Sequence, residues 1–234
     1  MLGAMDKLLK SAVPVVAAAV LLGLSACAYR PGDEDSPLRR SFSWFSYLNA
    51  DDLRATCTKG AADRYRIVYN AVWQEQVRTY DFTAGRDGAD LKTQVTGDVD
   101  FARAIPLTDL LSPWRGKIVR RRLSRSAFRG LRRALRRSGF HRPAPQGTRV
   151  QSWSFFWVAA ACEGGRFRFN VWAYPSPRFA GLTLAGILKR LDGTKIPFNK
   201  PRETWQPDRQ EDKDIDRYQL VVQGDGFAGT AGLF

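Results

Sequence analysis

Residues 150–174 read VQSWSFFWVAAACEGGRFRFNVWAY. Two runs rich in aromatic and β-branched residues, 150–162 and 166–174, flank Glu163, Gly164 and Gly165. A Gly-Gly pair suits the positive φ angles of a two-residue hairpin turn. Closing the chain there pairs Glu163 with Arg166, Cys162 with Phe167, Ala160 with Phe169, Val158 with Val171 and Phe156 with Ala173. One face is then apolar throughout and carries Cys162, as a core face should. A slip of one residue would mix polar and apolar side chains on both faces, so the pattern selects this register. The opposite face sets Trp157 against Trp172 and Phe155 against Tyr174, with Trp153 beyond. That aromatic face has two readings: a surface covered by a helix, or an open groove for an acyl chain or a sugar.

Outward from this hairpin the pattern stays antiparallel. Residues 64–82 (RYRIVYNAVWQEQVRTYDF) are β-rich, with Tyr65, Ile67, Tyr69, Ala71 and Trp73 alternating onto one face. The phase blurs near Gln74, which predicts a bulge or break there. AGRDG is a turn signal, and residues 89–97 form the second arm of a hairpin. Residues 117–123 and 217–223 read as further strands. Asn49, Asp51 and Asp52 look like a helix start, with a capping oxygen and acids in the first turn, and that short helix would carry Cys57. Residues 182–191 suggest another helix, and 193–216 a charged, proline-containing surface loop. Hairpin-linked strands with two or three packed helices predict a single α+β domain over 42–234. A chain of 234 residues suffices for one domain with a real core.

The most unusual composition lies at 124–138. At about 100° per residue, Ala127, Phe128, Leu131, Ala134 and Leu135 fall within an arc of roughly 120°. Arg125, Arg129, Arg132, Arg133, Arg136 and Arg137 fall opposite, and Gly139 ends the predicted helix. Between Leu110 and Cys162 there are 13 Lys and Arg and no Asp or Glu. This one window therefore accounts for nearly all of the excess positive charge in a chain of net charge +14. Arginines four residues apart repel by a few tenths of a kcal/mol, so the stripe is better accommodated facing an anion. Three partners fit: the chain's own acidic segment (Glu203, Asp208, Glu211, Asp212, Asp214, Asp216), an anionic envelope surface, or another protein.

The N-terminus decides among compartments. Lys7 and Lys10 precede an apolar run from Val13 to Leu24. At about 12 residues it is too short to span a bilayer, which needs about 20. Small residues and a cysteine follow, as at a cleavage site. Leu24, Ser25, Ala26 and Cys27 resemble the lipobox of bacterial lipoproteins. The resemblance covers only these first 27 residues. It implies a signal peptide over 1–26, cleavage before Cys27, and diacylglycerol plus an acyl chain on that cysteine. Several acyl chains anchor stably where one does not, at about 0.8 kcal/mol per buried methylene. Residues 27–41, rich in Pro and charge, then read as a polar tether. Ala28 stands where an aspartate would signal inner-membrane retention in such lipoproteins, which implies the periplasmic side of the outer membrane. An exported, anchored chain does not meet nucleic acid, and no nucleic-acid fold signature is present. With Cys27 lipidated, Cys57 and Cys162 remain, and an even remainder in an exported chain predicts a disulfide.

Catalytic material is sparse. His141 is the single histidine, so metal sites and triads built on histidine lack their parts. No G-x-S-x-G or Walker loop occurs, and no cofactor is expected. Asp98 with Asp100, or Glu75 with Asp81, supply the carboxylates that a polysaccharide hydrolase would need. Turn and surface roles explain the same residues. The sequence therefore favours a non-catalytic, lipid-anchored envelope protein acting through its arginine helix, with a carboxylate-dependent hydrolase as the alternative.

Overall fold

Gly164 and Gly165 take φ 57° and 77°, and the hairpin they close has the register expected from its pattern, from Glu163–Arg166 to Phe156–Ala173. Gly165 also packs against backbone: a Cβ there would stand 2.7 Å from Lys59 Cα. In this computed structural model, residues 29–31, 37–97, 116–204 and 218–228 are described. Their elements in chain order are α1 (Pro37–Asn49), α2 (Asp51–Ala55), β1 (Arg64–Ala71), β2 (Gln76–Gly85), β3 (Gly88–Gly97) and β4 (Lys117–Ser124). After these come α3 (Arg125–Arg137), β5 (Arg149–Gln151), β6 (Phe155–Glu163), β7 (Arg166–Ala173), α4 (Pro177–Ala180), α5 (Leu184–Leu191), β8 (Gln219–Gln223) and β9 (Gly226–Ala228).

The architecture is α+β, as the pattern implied. A six-stranded antiparallel sheet runs β4-β3-β2-β1-β6-β7, and a three-stranded sheet runs β5-β8-β9. Strand alternation sends the two sets of side chains of the large sheet to two separate cores. Tyr65, Ile67, Tyr69, Phe155, Trp157 and Trp172 face α3 and α5, which bury Leu131, Leu135, Leu184 and Leu188 against them. Val68, Val77, Phe156, Val158 and Val171 face the other way, against Tyr47 and Leu48 of α1, Leu53 of α2, and Leu220 and Val222 of β8. The central strands are thus covered on both sides. Of the two readings of the aromatic face, helices cover it: Phe155, Trp157 and Trp172 are each at most 2% exposed. Tyr174 and Trp153 at its margin are only half-buried.

Several expectations need correction. Residues 64–82 are two strands, because the chain reverses fully between Ala71 and Gln76. Val72 takes φ 64° there, and Trp73 leaves the face of Tyr65 and Tyr69 to pack in the opposite core. Residues 150–162 are likewise divided: β5 joins the small sheet and β6 the large one. Asn49 does not cap α2, whose N-cap is Ala50 with no side-chain bond. The Asn49 Oδ1 instead accepts from Phe227 N at 2.7 Å, tying α1 to β9. Cys57 lies just beyond α2, which ends at Ala55. It stands at disulfide distance from Cys162, with Cα atoms 5.5 Å apart. Within the segment read as tether, Tyr29 is buried and meets Tyr47 edge-on at 4.8 Å, and α1 begins at Pro37. Cys27, the leader before it, Asp98, Asp100 and the acids from Asp208 to Asp216 lie outside the described residues. Among the described residues, no helix is long and apolar enough to cross a membrane.

Candidate anion-binding face

The arginine helix forms where its sequence places it. Ser124 leaves the edge strand β4 in an extended conformation, and its hydroxyl accepts from Ala127 N at 3.3 Å. That bond satisfies one of the unpaired donors at the helix start. Phe128, Leu131, Ala134 and Leu135 are buried against the sheet. At the far end Gly139 takes φ 77°, Gly139 N donates to Arg136 O and Phe140 N to Leu135 O, both at 3.0 Å. This is the Schellman arrangement, which needs a left-handed residue and so favours glycine.

The helix end is also fastened from the sheet. Trp172 Nε1 donates to Ser138 O at 3.0 Å. Asn170, fully buried on β7, donates from Nδ2 to the carbonyls of Gly139, Phe140 and Arg142 at 3.3, 3.2 and 2.9 Å. Buried carbonyls left unpaired would cost on the order of 1–3 kcal/mol each. These bonds, with the apolar contacts, set the rotation of α3 and hence the direction its arginines face.

The six arginines divide into two groups. Arg125 pairs with Asp87 at 2.8 Å and donates from Nε to Arg86 O at 3.0 Å, both on the β2–β3 turn. Arg132 approaches Asp63 at 3.9 Å. Arg129, Arg133, Arg136 and Arg137 are exposed and have no carboxylate partner among the described residues. Of the acidic segment read as one partner for them, only Glu203 lies within the described residues, and it is exposed.

The other candidates are engaged structurally. His141 Nε2 lies 2.7 Å from Glu163 Oε2, and Tyr65 donates to the other oxygen of Glu163 at 2.8 Å. Glu75 holds Arg202 through a short ion pair. Asp81 accepts from Arg66 Nε at 2.8 Å and from the Tyr47 hydroxyl at 2.7 Å. Glu75 sits in the β1–β2 turn and Asp81 on the face of the sheet toward α1, so the two do not converge on one cleft. Among the described residues, no group of three or more His, Cys, Asp or Glu is placed to hold a metal.

Two residues of consequence escape a surface reading of the sequence. Arg66 is 3% exposed, bound by Asp52 at 2.7 Å as well as Asp81, and stacked on the Tyr47 ring at 3.9 Å. Arg78 is wholly buried on the opposite face. It bonds Asp192 Oδ2 at 2.6 Å and the carbonyls of Ile196 and Pro197 at 2.6 and 2.7 Å. Their positions in strand alternation, between Tyr65 and Ile67 and between Val77 and Thr79, are the only trace they leave in the sequence. Burial alone would raise the pKa of Asp192, but hydrogen bonds from Thr194 and Tyr80 and the charge of Arg78 hold it below the usual carboxylate value. Comparison with protein-family models, curated proteins and solved structures finds no match to this chain.

Proposed function

We propose that this chain is a lipid-anchored protein of the cell envelope, tethered through Cys27 to the periplasmic side of the outer membrane, that binds anionic phosphate groups of phospholipid or lipopolysaccharide through α3. The observation that carries the reading is the exposed row of Arg129, Arg133, Arg136 and Arg137, without carboxylate partners among the described residues, on a helix whose other face is locked to the sheet. A basic residue near an anionic membrane surface contributes about 1 kcal/mol. That exceeds the few tenths of a kcal/mol by which neighbouring arginines repel along the helix. Guanidinium also matches phosphate oxygens in two-point contact. An anchor adds effective concentration, so even a modest intrinsic affinity holds the face on the bilayer.

The engagement of Glu75 with Arg202 and of Asp81 with Arg66 favours this binding role over a hydrolase. The test is co-sedimentation of the Cys27→Ala chain with vesicles of phosphatidylglycerol and phosphatidylcholine, compared with phosphatidylcholine alone. Binding should require the anionic lipid, fall with added salt, and fall at least tenfold when Arg129, Arg133, Arg136 and Arg137 become Gln. Binding indifferent to anionic lipid would retire the proposal and point to a protein partner. The same Cys27→Ala change should release the protein from membranes in the cell; unchanged retention would retire the anchor.

A further inference from the structure

A second feature lies in the same helical layer but does not involve the α3 arginines. The loop after α5 does not hang free. Arg78 holds the carbonyls of Ile196 and Pro197; Gln76 Nε2 donates to Pro197 O at 2.9 Å, and Gln76 Oε1 accepts from Asn199 N at 3.1 Å. The Tyr69 hydroxyl donates to Asn199 O at 2.8 Å. These bonds fix residues 196–199 as a strap standing beside α5. Between strap and helix a cleft of about 90 Å³ remains open. Trp157 and Tyr69, stacked at 4.4 Å, lie beneath it. Leu182 and Ala185 form one wall and Phe198 the other.

Phe179 and Pro201 line this cleft and also border a second, more open trough along Tyr174, Pro175 and Pro177. The lining is mostly apolar, with Asn199 and Ser176 its uncharged polar members. Its charged members are Lys189 and Lys200, both beside the cleft, both exposed, and neither with a carboxylate partner among the described residues. No acid lines either part. An elongated apolar surface with positive charge at one end matches a molecule of the opposite design.

We infer that this groove binds one single-chain anionic amphiphile, its hydrocarbon lying along the trough and its carboxylate or phosphate meeting Lys189 and Lys200. This goes beyond the surface contact proposed for α3, because it places a single lipid molecule on the protein rather than the protein on a lipid surface. Burial of the chain supplies the affinity at about 0.8 kcal/mol per methylene, and the two lysines supply the choice of headgroup. The strap makes the cleft preformed, so little ordering is needed on binding.

The test follows tryptophan fluorescence of the full chain, carrying Cys27→Ala to exclude an attached lipid. It is titrated below their micellar concentrations with palmitate, palmitoyl-lysophosphatidylglycerol and palmitoyl-lysophosphatidylcholine. Saturable binding of at least one anionic probe is expected, at least tenfold tighter than the zwitterionic one. Palmitate alone would assign a carboxylate headgroup, and the glycerol lipid alone a phosphate. Ala185→Trp, which fills the cleft, should weaken binding at least tenfold. The surface pair Lys189→Gln and Lys200→Gln, which leaves the fold untouched, should erase the preference for anionic probes. Failure of all three probes to bind, equal binding of the three, or unchanged binding by the lysine pair would overturn the inference. Arg129, Arg133, Arg136 and Arg137→Gln should leave these titrations unchanged, and the lysine pair should leave vesicle binding largely intact. The two proposals therefore fail separately.

Discussion

Arg66 and Arg78 lie inside the molecule, and Arg129, Arg133, Arg136 and Arg137 lie on it; the same side chain does opposite work in the two places. Each buried guanidinium is surrounded: Arg66 by Asp52, Asp81 and the carbonyl of Tyr47, Arg78 by Asp192, Gln76 and two loop carbonyls. Burial opposes the charge on Arg66, but Asp81, Tyr47 and Asp52 outweigh it and raise its pKa above the usual arginine value. Such groups determine which segments fold onto the sheet. Arg129, Arg133, Arg136 and Arg137 face solvent where the buried pair has partners. Partnering, and not residue type, separates an arginine committed to the fold from one left facing solvent.

The strongest test of this contrast is Arg78→Ala. It leaves Asp192 buried without its cation and frees the Ile196 carbonyl of the strap. A loss of about 3–5 kcal/mol is expected in urea unfolding, the range for breaking a buried pair. Replacing Arg78 by Met together with Asp192 by Leu should cost much less, because no uncompensated charge remains. Next comes Cys57→Ser with Cys162→Ser, expected to cost about 2–4 kcal/mol. Cys57 directly follows α2, which carries Asp52, so part of that loss should be felt at Arg66. The buried tyrosine fluorescence around Arg66 should therefore change before global unfolding.

The pH dependence sharpens the comparison further. Asp192 has a lowered pKa when folded, whereas an unfolded aspartate titrates near 3.9. The folded state thus holds its carboxylate charge where the unfolded chain would take up a proton. The stability it contributes is complete above the unfolded value and is lost as pH falls through the folded one. Acid unfolding should steepen below about pH 4, and Asp192→Asn should flatten that limb while lowering stability at neutral pH. The smallest effect belongs to the exposed group. Changing Arg129, Arg133, Arg136 and Arg137 to Gln should shift stability by only a few tenths of a kcal/mol, toward greater stability, as like-charge repulsion is relieved. A destabilisation beyond 1 kcal/mol would place partners on those arginines within the chain and erase the contrast.

The sequence disclosed most where two signals coincided. The β6–β7 register is legible because the Gly164-Gly165 turn and the alternating core face agree. The orientation of α3 is legible because the apolar stripe and the stop at Gly139 agree. It failed where the backbone reversed without its usual residues. Val72, Trp73, Gln74 and Glu75 contain neither Gly nor Pro, and a β-branched Val72 at φ 64° is rarely adopted. The turn between β5 and β6, through Ser152, Trp153 and Ser154, is equally unmarked. Buried arginines are illegible for another reason: their partners Asp52, Asp81 and Asp192 come from three separate elements, and only the folded chain assembles them. The cleft beside α5 was hidden likewise, since its strap reads as charged loop until Arg78 and Gln76 draw it onto the sheet.

The position of β4 carries one last consequence. Among the described residues it is the outermost strand of the large sheet, and it carries Arg120, Arg121 and Arg122 in succession, all exposed. An open strand edge is a template onto which another chain can add itself. Two copies meeting antiparallel along this edge would set guanidinium against guanidinium along its centre. Such an edge resists growing a sheet from one molecule to the next, however crowded the copies.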